Sequence, residues 1–126
     1  MQSLEHEAMT ILRPATQAGR LSPADPQALR DAVAGHLASA SPPVADQADH
    51  PPKLLVVPHA GYVYSGDVAG WAYASLARWR ERVTRVVLLG PVHRVPVSGL
   101  AAPTVSAFET PLGLVPLDTE FIDALK

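Results

Sequence analysis

Residues 53–95 read KLLVVPHAGYVYSGDVAGWAYASLARWRERVTRVVLLGPVHRV, and how this stretch is read decides the fold. It holds two short apolar runs, residues 54–57 and 83–89, the second interrupted by Thr84 and Arg85, each followed within four residues by a histidine, His59 and His93. Neither run alternates apolar with polar residues, which is the pattern of a strand covered on both faces of a parallel sheet. Pro58 ends the first run and Gly90-Pro91 breaks the second. Between them the Ser65-Gly66-Asp67 group can start a helix, and Val68, Ala69, Ala72, Leu76 and Trp79 then share one face through about Arg80. Ala69, Gly70, Ala72, Ala74 and Ser75 are small enough to let that helix lie close to a sheet. A strand, a helix and a strand in that order predict a right-handed crossover between parallel strands. The expected class is α/β, a partly parallel sheet with flanking helices.

Working outward, Asp25-Pro26 signals a helix start: the Asp carboxylate can cap free N–H groups, and Pro is at no disadvantage in the first turn. This helix should run to about Ala40 on a stripe of Leu29, Val33 and Leu37, with His36 beside the stripe as a packed or half-exposed residue rather than a ligand. Residues 1–24 show little periodicity, and Pro14 and Pro23 argue for an extended lead-in. Residues 41–52 form a Pro- and Asp-rich connector in which His50 should be solvated. Toward the other end, residues 98–103 read as a short strand. Residues 105–108 and 113–117 read as a hairpin around 109–112. A helix starting at Asp118 or Thr119 carries Phe121, Ile122 and Leu125, and Lys126 ends the chain before its second turn is complete. That ending is read as truncation.

The totals narrow the function. A chain of 126 residues, 48% of them hydrophobic, is one domain's worth of sequence. The net charge of -2, with ten scattered Lys and Arg, argues against a nucleic-acid partner. No apolar run approaches the roughly 20 residues that span a bilayer. The N-terminus carries acids where a signal peptide would be basic, so a cytoplasmic location is expected. With no cysteine, disulfides are excluded and any metal must be held by nitrogen and oxygen.

Ligands in open α/β sheets gather beyond the carboxyl ends of the strands, where the two histidines are expected. Adjacent strands lie about 4.8 Å apart and imidazole binds metals at about 2.0–2.1 Å, so neighbouring strands would let His59 and His93 share one ion. A stable site needs a third protein ligand, and Asp67, Glu109 and Asp118 are equal candidates by spacing. The alternative is that the two histidines brace loops by donating to carbonyls. Tyr62 and Tyr64 either supply phenolic donors at the same edge or cover the top of the sheet. Gly61, Gly66 and Gly90 fit no phosphate-binding motif, and Trp71 and Trp79 read as packing residues.

Three ordered motifs then carry a resemblance: Pro58-His59-Ala60-Gly61-Tyr62-Val63-Tyr64-Ser65-Gly66, Leu89-Gly90-Pro91-Val92-His93-Arg94-Val95-Pro96, and Phe108-Glu109-Thr110-Pro111-Leu112-Gly113 followed by Asp118. Together with the lead-in from Ala18-Gly19-Arg20 to Ala24-Asp25-Pro26, they resemble the Memo family, whose bacterial and archaeal members are called AmmeMemoRadiSam system protein B. Leu21-Ser22 stands where that family usually has an aromatic pair. The resemblance implies the N-terminal portion of one Memo-like domain, with a fold related to the LigB-like class III extradiol dioxygenases. It implies an iron or copper site with His59 and His93 as ligands, and Tyr62 as a candidate proton donor. The family's third ligand is a cysteine farther along, which has no counterpart here. The implied functions are redox or dioxygenase-like chemistry on a small-molecule substrate, or a non-enzymatic protein- or peptide-binding scaffold. AMMECR-type and radical-SAM proteins are the implied partners.

Overall fold

The structure is a computed structural model that describes residues 11–40 and 49–125; residues 1–10 and most of the 41–52 connector lie outside it. The described residues form three α-helices and a three-stranded mixed sheet, an α/β composition. The chain divides into two compact units, Gln17–Pro91 and a second made of Met1–Thr16 with Val92–Lys126.

The first unit is built on two helices. Helix α1, Pro26–Ala38, starts as the sequence predicts: the Asp25 carboxylate accepts from Ala28 N–H at 2.8 Å, and Pro26 occupies the first turn. Leu29 is its buried residue. Helix α2, Tyr62–Ala74, starts three residues before the expected Ser65, at an N-cap on Gly61. The Gly61 carbonyl accepts from Tyr64 N–H and Ser65 N–H at 2.9 and 3.1 Å, and Tyr62 N–H donates to the Leu21 carbonyl at 2.9 Å. Asp67 is therefore inside the helix, free to pair with another element. The helix ends at Ala74, and a 3-10 turn, Ala77–Trp79, follows. In that turn Trp79 is buried, with Arg78 and Arg82 over its ring at 4.6 and 5.0 Å from the centroid.

The buried face of α2 is not the predicted one. Ser65, Gly66 and Gly70 are buried, while Val68 is exposed. Helix α2 packs on α1 through the two glycines: a Cβ at Gly66 would collide with the His36 ring, and one at Gly70 with the His36 carbonyl. Close helix approach needs small residues one turn apart, and that requirement overrides the larger apolar stripe.

The second unit holds the sheet, ordered β1-β2-β3. The predicted hairpin is present as β2, Ala107–Thr110, antiparallel to β3, Gly113–Pro116, with a turn at Pro111-Leu112. Thr110 clamps that turn: its hydroxyl donates to the Gly113 carbonyl at 2.8 Å and accepts from Leu112 N–H at 3.1 Å. Gly113 has φ +122°, a conformation that side chains disfavour. Strand β1, Leu12–Arg13, lies parallel to β2, and Arg13 stacks over Phe108 at 5.2 Å. Helix α3, Thr119–Ala124, is capped as predicted by Asp118, which accepts from Phe121 N–H at 2.9 Å.

Three expected strands are corrected. Residues 54–57, 83–89 and 98–103 form neither strand nor helix. Among the described residues, nothing pairs with them in a sheet, and the sole parallel pairing of named strands is β1 with β2. Leu54, Val56 and Leu88 are 78%, 89% and 80% exposed. An unbroken apolar run states that a strand should be covered on both faces; it does not supply the neighbouring strands that give it a ladder. The β-α-β crossover built on those runs is consequently not present.

Candidate functional site

The first unit encloses a half-open cavity of about 640 Å³ against one side of the α1–α2 pair. Val33, Leu37 and Ala69 give it apolar wall, and its polar groups include His36, His59 and Tyr62 beside Ser22, Ser65 and Tyr73. His59 is exposed and follows an irregular segment rather than a strand. Tyr62, the first residue of α2, sets its ring edge-on to His36 with centroids 5.8 Å apart.

His36 is the best-anchored polar side chain of this cavity. Its Nδ1 lies 2.8 Å from Asp67 Oδ1, joining α1 to α2 across 31 residues of sequence. A carboxylate only accepts, so Nδ1 carries the proton of this bond and the ring orientation is fixed. The His36 side chain is 25% exposed and that of Asp67 77%. The sequence places His36 correctly as a packed residue, but nothing in it joins His36 to Asp67. The i, i+4 spacing of Gly66 and Gly70 is the signal that marks the crossing face of α2.

The other predicted residues divide between the units. His93 is exposed in an irregular segment of the second unit, with no strand before it. Of the candidate third ligands, Asp67 engages His36, Glu109 lies on β2 and Asp118 caps α3. Among the described residues no group of three or more His, Cys, Asp or Glu is arranged to hold a metal ion. His59 and His93 suit a first-row metal in kind, as imidazole donors, but two imidazoles do not complete a site. His50 is exposed, with Nδ1 3.3 Å from the Pro51 carbonyl. No helix among the described residues is long and apolar enough to cross a membrane.

Residues 13–126 match the family model described as Memo-like protein, a span that includes both histidine motifs. The chain belongs to the Memo family. It is 41% identical over 112 residues to a MEMO1 family protein of Methanopyrus kandleri, covering 86% of this chain and 39% of that protein. It is 42% identical over 78 residues to a MEMO1 family protein of Thermotoga neapolitana, 59% of this chain and 26% of the relative. A memo-1 homolog of Caenorhabditis elegans is 38% identical over 74 residues, covering 59% of this chain and 21% of that protein. This Memo chain thus spans well under half the length of the curated relatives it matches.

Proposed function

We propose that this Memo chain contributes two imidazole ligands, His59 and His93, to an iron or copper centre serving redox or dioxygenase-like chemistry, in the LigB-like architecture expected of the family. The observation that supports the reading is the family match across residues 13–126, which carries both motifs. A bound metal of this kind would supply open positions for a small-molecule substrate and oxygen. The chain's own part is to present each imidazole through one ring nitrogen while the other is held by an outer acceptor. Tyr62, which lines the same cavity as His59, is the phenolic proton donor in this reading. The test is titration of the chain with Fe(II) and Cu(II) beside a His59→Ala, His93→Ala double variant. Uptake by the parent that the double variant loses is the expected result; equal, negligible uptake by both ends the proposal for this chain.

A second reading, a protein- or peptide-binding scaffold, draws on the exposed apolar runs at Leu54, Val56 and residues 86–89. It predicts that capture of an AMMECR-type or radical-SAM protein survives both chelator and the double variant. Capture abolished by chelator counts against it.

A further inference from the structure

We infer that the cavity beside the α1–α2 crossing is a binding site for a small, mostly apolar molecule carrying one hydroxyl or N–H, which donates to His36 Nε2. Asp67 engages Nδ1 at 2.8 Å, so in the neutral ring Nε2 is an acceptor of fixed direction. No hydrogen bond to Nε2 is made by the described residues, and no buried side-chain nitrogen among them is sealed without a partner, so Nε2 keeps access to solvent.

Gly66 is what lets the ring lie against α2. A Cβ there would meet His36 Nε2, Cε1 and Cδ2, and the helix residue facing the ring has none. The surrounding wall of about 640 Å³ is within the size range of small-ligand pockets, and its composition, apolar side chains with few convergent polar groups, is of that kind. An apolar body with one donor satisfies both parts of this lining. The site does not depend on a metal at His59, and the experiment is run with chelator present.

Phenol and anisole serve as probes, since both fill a ring-sized space but anisole has no donor. The full chain, isotopically labelled, is titrated with each and followed by amide chemical shifts. Phenol should give saturable shifts confined to the cavity lining, including Leu21, Leu37, Ala60 and Ala69, and should bind about 5-fold more tightly than anisole, the difference expected of one hydrogen bond. Gly66→Ala, which presses on the ring, and Asp67→Ala, which removes the acceptor at Nδ1 and releases it, should each bring phenol to the level of anisole. Asp67 is exposed, so Asp67→Ala removes one hydrogen bond and little packing, and the comparison stands on this variant alone. Equal binding of both probes by the parent, absence of saturable shifts up to the solubility of phenol, or a phenol preference that survives Asp67→Ala would each overturn the assignment.

Discussion

In the α1–α2 pair the buried residues of the second helix are Ser65, Gly66 and Gly70, and the contact is one of close backbone approach sealed by a single cross-helix bond from His36 to Asp67. In the sheet the joining force is the ladder of the β2–β3 hairpin, with two strand residues of β1 added at one edge. The helix pair depends on what is missing from two positions; the hairpin depends on groups that are present within ten residues of each other. The first kind of contact is intolerant of added atoms and the second of lost conformations.

Substitutions that add one methyl group separate the two. Gly113→Ala should have the largest effect, roughly 2 kcal/mol of destabilisation from forcing a side chain to φ +122°. Amide exchange should quicken on β2 and β3 while α1 and α2 keep their protection; unchanged exchange in the hairpin would remove the turn as its organiser. Gly70→Ala comes next. A Cβ there meets the backbone of His36, which cannot swing aside, and overpacking of about 1–3 kcal/mol outweighs the roughly 1 kcal/mol gained in helix propensity. The expected net loss is about 1 kcal/mol, read as a lower urea midpoint at unchanged slope. Gly66→Ala should lower that midpoint less, because the obstructing atoms belong to a side chain whose ring can turn at the loss of its bond to Asp67.

Two smaller changes sharpen the contrast. Asp25→Ala removes the acceptor for Ala28 N–H and should cost about 1 kcal/mol, with faster exchange in the first turn of α1 only. Thr110→Val removes both hydroxyl bonds of the hairpin turn but retains the branched shape, so about 0.5–1 kcal/mol is expected. A larger loss from Thr110→Val than from Gly113→Ala would show that the hydroxyl clamp, rather than the glycine conformation, holds the hairpin.

Features encoded within a few residues were legible. Asp25-Pro26 and Asp118 announce their helices by chemistry that acts over one turn, and Thr110 to Gly113 announces a reversal between two short strands. Residues 54–57 and 83–89 do not form strands because burial on both faces is a property of an assembly, not of a run of four or seven side chains. Asp67 was read as part of a helix start, whereas the helix begins at Tyr62 because the Gly61 carbonyl already accepts its first bonds. Strand β1 was hidden for a different reason: two residues carry no periodicity, and Leu12-Arg13 becomes a strand only against Ala107 and Phe108.

For the candidate site the division is similar. His59 and His93 stood out because each lies beside a proline or glycine after an apolar run, and their motifs identify the family. The sequence by itself determined the helix starts, the hairpin, the family and the two histidines, since each is written in neighbouring residues. Only the tertiary structure decided that α1 crosses α2 at Gly66 and Gly70, that Asp67 meets His36, and that His36, His59 and Tyr62 line one cavity. Contacts across 31 residues arise from the fit of two helix surfaces, and no local pattern specifies which side chain will face the gap left by a glycine.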